Sequence, residues 1–256
     1  MCTLVTLHRP GHAWPLLIAA NRDEMAGRPW LPPGRHWPER PAVTAGRDEE
    51  AGGTWLGVND AGVVAAVLNR VGSLGPAGDK RTRGDLPLIA LDHQNARDAA
   101  RAVCALPGRD FRPFNMVIAD SEGAFWLRWT DRDGATNAEV APIPQGLHML
   151  TAHDLDDSHA SPRVARHLPL FRAARAPDPD TGDWAGWQAR LADPSRDSSA
   201  TESGSLLIED RGGFGTVSSS LIGLAGATRR TIWMFAAGRP DKVSFRPVAL
   251  DTTDCV

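Results

Sequence analysis

The sequence predicts an α+β fold built mostly from antiparallel sheets. Short runs rich in β-branched and apolar residues come in pairs, and turn-forming residues join the members of each pair. Helical segments occupy the middle of the chain, and further strand-like runs close it. This order of elements is typical of α+β folds, and a length of 256 residues suits one large domain or two small ones.

The first predicted hairpin carries the start of the chain. Residues 2–8 (CTLVTLH) and 15–21 (PLLIAAN) are predicted strands, and a Pro-Gly pair marks a turn between them. Their equal lengths predict a symmetric pairing in which Cys2 lies opposite Asn21. Adjacent strands lie about 5 Å apart, so the first residues should lie beside the polar Asn-Arg-Asp-Glu cluster at 21–24.

A second predicted hairpin pairs residues 54–59 with residues 63–69 around an Asp-Ala-Gly turn. Two glycines at 52–53 precede it, where the chain needs backbone freedom or a close approach. The proline-rich residues 29–41 and the polar residues 71–84 are predicted as surface loops.

The helices and the remaining strands follow. Residues 85–106 predict two helical pieces separated near Asn95, which can cap the second piece. Ser161 and Pro162 are typical of a helix start, which predicts a helix over residues 161–175. A further helix is predicted at 183–192, a loop at 193–204, and strands at 114–119, 124–130, 147–152, 216–224, 230–236 and 243–248.

Composition argues against several classes of partner and site. The formal net charge of -3 gives no reason to expect nucleic acid. No apolar run approaches the roughly 18 to 20 residues of a membrane-spanning helix, and the first residues lack the pattern of a secretion signal. Three scattered cysteines are too few for a disulfide framework or a structural zinc site. We therefore expect a cytoplasmic protein without an integral membrane segment, a metal or another cofactor.

A cysteine at position two can act as a nucleophile with its own base. Removal of Met1 would leave Cys2 with a free α-amine of pKa about 7.7 to 8.0 beside a thiol of pKa about 8.5, so the amine can take the proton of the thiol. Asp23 could orient the amine or the thiol, and Asn69 could donate to a developing oxyanion. Arg22 could bind a substrate carboxylate or phosphate, or pair with Glu24.

Each of these residues also has a purely structural interpretation. A cysteine in this position is often a small apolar filler, and the polar cluster at 21–24 could be a solvated turn with ion pairs. Asn69 could only end a strand. The predicted pairing of Cys2 with Asn21 favours the functional interpretation, because it brings two unusual features of the sequence together.

Several motifs resemble those of the NRDE family, which includes the Transport and Golgi Organization proteins of eukaryotes. The resemblance is dense over residues 1 to about 90 and patchy beyond them. It rests on the motifs NRDE (21–24), RP (28–29), AGGTWLGVN (51–59), LNR (68–70), RTRGDL (81–86), FNMVIAD (114–120) and GFGTVSSSLI (213–222).

This resemblance implies a single domain over residues 1–256 with the four-layer αββα sandwich of the N-terminal-nucleophile (Ntn) hydrolases. By similarity to cysteine Ntn amidases, Cys2 would be the nucleophile, Asp23 the partner of its thiol or amine, and Asn69 an oxyanion donor. Independently of the resemblance, Asn21, Arg22 and Arg83 are candidates for contact with the substrate. The chain departs from relatives at three positions where they carry arginine or asparagine: Ala20, Ala152 and Val217.

Two functions follow from the sequence. The first is a hydrolase that cleaves a non-peptide amide C–N bond of a small molecule. The second is a carrier or chaperone of a hydrophobic ligand such as haem, a lipid or acyl-coenzyme A, which the resemblance to trafficking proteins implies. The basic residues Lys80, Arg81 and Arg83 could receive an anionic ligand tail or form a solvated loop.

Overall fold

The strands of the protein form two antiparallel sheets. The computed structural model describes residues 2–75, 77–132, 134–194, 204–226 and 230–250. Within these ranges the strands are β1 (Thr3–His8), β2 (Leu16–Met25), β3 (Trp30–Gly34), β4 (Val43–Asp48), β5 (Leu56–Asn59), β6 (Val64–Asn69), β7 (Phe114–Ala119), β8 (Ala124–Trp129), β9 (Glu139–Pro142), β10 (Gly146–Leu150), β11 (Phe214–Leu224), β12 (Ile232–Ala236) and β13 (Arg246–Pro247).

The two sheets stack face to face, and helices cover both outer faces. The first sheet has the strand order β10-β1-β2-β11-β12-β13, and the second has the order β3-β4-β5-β6-β7-β8-β9. The helices are α1 (Asp85–Leu91), α2 (Ala96–Cys104), α3 (Pro162–Ala173) and α4 (Ala185–Leu191). Helices α1 and α2 pack on the second sheet, and α3 and α4 pack on the first. The predicted αββα sandwich is confirmed.

Alternation along the strands explains why the central strands are buried on both faces. In β2, Leu16 and Ile18 contact the apolar layer between the sheets, whereas Leu17 and Ala19 contact helices α3 and α4. Successive side chains of a strand point to opposite faces, so an unbroken apolar run can serve two layers at once. Even-numbered residues of β2 therefore face the second sheet.

The predicted helix starts are confirmed. The Asn95 side chain accepts from the backbone N–H of Asp98 at the start of α2, and Ser161 does the same for Val164 at the start of α3. Among the described residues, no helix has the length and apolar character needed to cross a membrane. The residues from 195 to 203 of the predicted loop at 193–204 lie outside the described ranges.

Three strands were not predicted. β3 and β4 lie in or just after the segment predicted as a proline-rich loop, and β9 lies in a polar stretch without a strand pattern. β3 contains Pro32 and Pro33 but is an edge strand, where a missing N–H breaks no ladder. Its register with β4 shifts between Leu31 and Gly34. The last predicted strand, 243–248, shortens to the two residues of β13.

Candidate active site

The first hairpin places Cys2 beside the end of β2, with a register one residue away from the prediction. Thr3, not Cys2, pairs with Asn21, and His8 pairs with Leu16. Pro15 has no N–H for the ladder and instead accepts from the N–H of Arg9 at 2.7 Å, which closes the loop. The predicted pairing of Cys2 with Asn21 is therefore wrong, and continuing the observed register puts Cys2 opposite Arg22.

The Cys2 thiol touches the main chain of Asp23. Its Sγ donates to the Asp23 carbonyl oxygen at 3.6 Å, so the two residues are in contact through the main chain of Asp23. The thiol is partly buried and contacts the apolar layer between the sheets. Burial raises the pKa of the Cys2 thiol, the negative charge of Asp23 raises it further, and Arg22 acts in the opposite direction. The environment thus favours a neutral thiol at rest.

The Asp23 carboxylate lies on the opposite face of β2, towards helix α3. Thr216 donates to its Oδ1 at 2.7 Å, and Arg163 Nη1 lies 3.3 Å from its Oδ2. The same Nη1 donates to the Thr3 hydroxyl at 2.8 Å. Thr3 follows Cys2 directly, so the carboxylate lies next to the main chain at the start of β1. It is the Asp23 carbonyl, not its carboxylate, that contacts the thiol.

Asn21 shares the helix-facing side of β2 and has a structural role. Its Nδ2 donates to the carbonyls of Leu191 and Leu206, both at 3.0 Å. Its Oδ1 accepts from the Ser219 hydroxyl at 2.6 Å. Because these bonds use both amide hydrogens and the oxygen, Asn21 does not have a free amide for a substrate. Asn21 is also among the residues that line a small cavity beside Cys2, so its contact with a substrate stays a prediction.

Arg22 shares the face of β2 that is turned towards the second sheet. Its guanidinium carbon lies 4.1 Å from the centroid of the Trp55 ring and 5.8 Å from that of Trp30. Arg22 is only 6% exposed, and its Nη1 has no hydrogen-bond partner among the described residues. Burial lowers the pKa of Arg22. The ion pair with Glu24, one of the two alternatives for Arg22 in the sequence, is not formed within the described part of the chain.

A glycine on β4 makes this stacking possible. A Cβ on Gly46 would lie 2.3 Å from the Trp55 ring, closer than any carbon contact allows. Trp55 can therefore lie flat over β4 only because residue 46 is glycine. The ring then stands between β4 and Arg22, and it fixes where the guanidinium lies.

A large cavity opens above these residues. Its volume is about 710 Å³, and Cys2, Arg22, Asn69 and Arg83 all lie on its wall. Asn69 is the last residue of β6, and within the described ranges its side-chain amide takes part in no hydrogen bond. A second, smaller cavity of about 30 Å³ continues from Cys2 into the apolar layer between the sheets. The structure brings together four of the six predicted site residues on one wall.

A close main-chain contact between residues 53–54 and Gly84 positions the neighbouring Arg83 at the wall of the cavity. The N–H of Thr54 donates to the Gly84 carbonyl at 3.0 Å, and a Cβ on Gly53 would lie 2.4 Å from the Gly84 carbonyl carbon. The predicted close approach at Gly53 is thus confirmed. Arg83 Nη1 donates to the carbonyls of Ser73 and Pro113 at 2.8 and 3.1 Å. Burial lowers the pKa of Arg83 to about 10.

The described residues contain no metal centre. No group of three or more His, Cys, Asp or Glu side chains within those ranges could hold an ion.

Comparisons with known proteins decide the family. The family model for Transport and Golgi organisation 2 matches residues 1–181, which is most of the chain. The chain belongs to the Transport and Golgi organisation 2 family. No curated protein matches the sequence.

Solved structures share the fold of this Transport and Golgi organisation 2 member at low sequence identity. A penicillin V acylase from Agrobacterium tumefaciens is 15% identical with a TM-score of 0.57, covering 93% of this chain and 83% of that chain. An N-acylethanolamine-hydrolyzing acid amidase ortholog from Caenorhabditis elegans is 13% identical with a TM-score of 0.58, covering 89% and 94%. A mutant conjugated bile acid hydrolase from Clostridium perfringens is 12% identical with a TM-score of 0.50, covering 99% and 98%. The fold is therefore Ntn-hydrolase-like.

The sequence pattern did not reveal every residue at the site of this family member. Arg163 and Thr216, which bind the Asp23 carboxylate, come from α3 and β11, far along the chain. No spacing signal links them to β2. Trp55 lies within a motif that resembles one of the family's motifs. Its stacking on Arg22 could not be predicted, because Arg22 lies on the first sheet and Trp55 directly precedes β5 of the second, and the two sheets must first pack together.

Proposed function

We propose that the protein is a cysteine Ntn-type hydrolase that cleaves a non-peptide amide C–N bond, with Cys2 as nucleophile after removal of Met1. The observation that carries the proposal is the position of Cys2 at a wall shared by two cavities, with the unpaired amide of Asn69 on the same wall. The thiol thus lies where a small molecule can reach it.

The raised pKa of Cys2 favours activation by a base at the moment of attack. A thiol that stays neutral must lose its proton as the sulfur bonds to the carbonyl carbon, and the α-amine of Cys2 is the nearest base once Met1 is gone. Asp23, held by Thr216 and Arg163, would anchor that amine. Its carboxylate would then act through the amine and not through the thiol.

The remaining steps balance through the same groups. Attack places negative charge on the carbonyl oxygen, and Asn69 would donate a hydrogen bond to it. The C–N bond then breaks, and the α-ammonium returns its proton to the leaving nitrogen. Water next attacks the thioester carbon, which releases the carboxylic acid and restores the thiol. Arg22 and Arg83 would hold polar groups of the substrate in the large cavity.

The test combines the mass of the mature protein with labelling of Cys2. We expect the intact mass of the purified protein to lack one methionine, and a thiol-reactive acyl analogue to label Cys2. Cys2→Ala should abolish both labelling of this position and amide hydrolysis, whereas Cys104→Ala should retain them. Retention of Met1, or hydrolysis by Cys2→Ala, would show that the mechanism is wrong.

The alternative function, a carrier of haem, a lipid or acyl-coenzyme A, has less support from the site. Charged side chains make up much of the lining of the large cavity, which does not suit a purely apolar ligand. None of the described lining residues is a histidine, so Cys2 and Met25 are the side chains there with sulfur for a haem iron. Titration with haemin and with an acyl-coenzyme A while following tryptophan fluorescence tests this function.

A further inference from the structure

The large cavity has more positive than negative charge. Six basic and three acidic side chains line it, a formal excess of three positive charges. The acidic residues are Glu24, Asp48 and Glu50, and Arg28 lies 2.8 Å from Asp48 and 3.3 Å from Glu50. The acidic charge is therefore largely taken up by Arg28 at one side of the cavity, with Glu24 as the remaining carboxylate.

Two guanidinium groups in the cavity have no carboxylate partner. Arg22 and Arg83 form no ion pair with any residue in the described ranges, and the acceptors of Arg83 are neutral oxygens of Ser73 and Pro113. Arg22 also has a buried Nη1 without any hydrogen bond. A buried donor without a partner costs stability, so an anion that enters the cavity would supply the partner that Arg22 Nη1 lacks among the described residues.

The position of Arg22 limits where that partner lies relative to the reacting atoms. Cys2 and Arg22 occupy opposite positions on neighbouring strands by the register of β1 and β2, and both side chains line both cavities. Side chains in such positions have Cβ atoms about 5 Å apart. Because both side chains line the same two cavities, an anion bound by Arg22 and a carbonyl carbon attacked by Cys2 can belong to one small molecule.

The two cavities suit the two halves of an amide differently. The small cavity is a slot of about 30 Å³ whose lining includes Leu4, Leu56 and Ala66, so it has room for a group of methyl or ethyl size. A leaving amine that carries anionic groups is too large for a slot of this volume, and the large cavity has most of the basic side chains that would bind such groups. The acyl group thus belongs in the slot, and the leaving group belongs in the large cationic cavity.

We propose that the substrate is a short-chain N-acyl amino acid with an acidic side chain, whose two carboxylates bind Arg22 and Arg83 while its acyl group enters the small cavity. The substrate class rests on the hydrolase function proposed above. Attack by Cys2 would transfer the acyl group to sulfur, and the α-ammonium proton would pass to the nitrogen of the departing amino acid. Hydrolysis of the thioester would then release the short carboxylic acid.

Binding to an inactive variant tests the substrate class without requiring hydrolysis. Isothermal titration of Cys2→Ala with N-acetyl-L-glutamate is compared with its neutral diamide and with N-octanoyl-L-glutamate. We expect the dianionic acetyl compound to bind at least about tenfold more tightly than the diamide, because two charge-assisted contacts are lost. The octanoyl compound should bind more weakly than the acetyl compound, because the slot cannot contain its chain.

Arginine variants in the Cys2→Ala background locate the effect. Arg22→Met and Arg83→Met should each reduce the preference for N-acetyl-L-glutamate over the diamide, and Arg22→Lys should keep part of it. Arg101→Met is the matched control, since Arg101 is an exposed residue of α2 away from both cavities, and it should keep the whole preference. Circular dichroism of each variant checks folding.

The outcomes separate this inference from the proposed hydrolase. Equal affinity for the dianion and the diamide, or a preference that survives Arg22→Met, would overturn the charge assignment. Equal or tighter binding of the octanoyl compound would overturn the slot assignment. Tight, Arg22-dependent binding of N-acetyl-L-glutamate without turnover by the unmodified protein would support the ligand class and count against hydrolysis alone.

Discussion

Replacing Arg22 with methionine should leave the protein as stable as before or make it more stable. The substitution removes a buried guanidinium whose Nη1 has no partner, which relieves about 1–3 kcal/mol. It also loses the stacking on Trp55, worth about 0.5–2 kcal/mol, but methionine regains about 0.3–1.5 kcal/mol against the same ring. At their mid-values these terms sum to a gain in the free energy of unfolding of about 1.5 kcal/mol.

A second buried arginine provides the matched control. Arg163 is also 6% exposed, but its guanidinium contacts Thr3 and the Asp23 carboxylate. Arg163→Met removes a guanidinium that contacts this buried carboxylate, which should cost about 3–5 kcal/mol in the free energy of unfolding. The two substitutions remove the same group at the same exposure, so their difference isolates the effect of having a partner.

Urea denaturation followed by circular dichroism measures both variants, and calorimetry gives their melting temperatures. A gain of 1 kcal/mol corresponds to a rise of about 2–4 °C in a chain of this size. A loss of more than about 2 kcal/mol in Arg22→Met would refute the reasoning. Arg22 would then be a structural residue whose contacts hold the sheets together, and its unpaired Nη1 would carry no functional meaning.

Three further predictions concern other parts of the molecule. Asn115→Ala should lower the free energy of unfolding, measured by urea denaturation, by about 2–4 kcal/mol, because the fully buried Nδ2 of Asn115 donates to the carbonyls of Thr151 and His153. Asn137 is exposed, so Asn137→Ala should lower it by less than about 0.5 kcal/mol. Equal losses in the two variants would contradict this prediction. Burial lowers the pKa of His167 to about 4. As the pH falls below about 6.5, the histidine of the unfolded chain therefore takes up a proton before that of the folded chain. The free energy of unfolding at pH 5 should then be about 2 kcal/mol lower than at neutral pH. His167→Gln should remove that part of the drop between pH 7 and pH 5, and an unchanged drop would speak against it. The rate at which iodoacetamide labels Cys2, followed against pH by peptide mass mapping, should have its midpoint above the ordinary thiol pKa. Asp23→Asn should lower that pH midpoint, because the Asp23 carboxylate disfavours the thiolate. A midpoint that rises in this variant would contradict the prediction.

Much of the fold could be predicted from the sequence because its signals are local. The hairpin β7–β8, the two halves of the helical region at 85–106 and the caps Asn95 and Ser161 depend on residues a few positions apart. β3 was missed for a different reason. Its prolines oppose strand formation in general, and they are tolerated here only because tertiary structure places that strand at an edge.

The candidate site could be predicted only in part. The hairpin places Cys2 beside the main chain of Asp23, but the strand lengths did not reveal that the register would shift by one residue at Pro15. That shift decides which side chains share a face. It turns Arg22 towards the thiol and turns Asn21 towards the helices, which reverses the roles that an unshifted pairing suggests.

The partners of Asp23 show where sequence reasoning ends. Arg163 lies 140 positions further along the chain, and Thr216 lies 193 positions further. Neither has a local pattern that marks it as a ligand of a carboxylate. Such contacts exist only after the sheets and the helix layer have packed, so their prediction needs the three-dimensional fold.

The bonding of three buried asparagines has a consequence for the chemical ageing of the molecule. Asn21, Asn59 and Asn115 each donate their Nδ2 hydrogens to two carbonyl oxygens of a segment that lies elsewhere in the chain. Deamidation would replace each donor pair with a carboxylate that repels those same oxygens. Hydrolysis of one amide at any of these positions would therefore break the hydrogen bonds that hold a distant segment in place. The same change on an exposed loop would leave the fold intact.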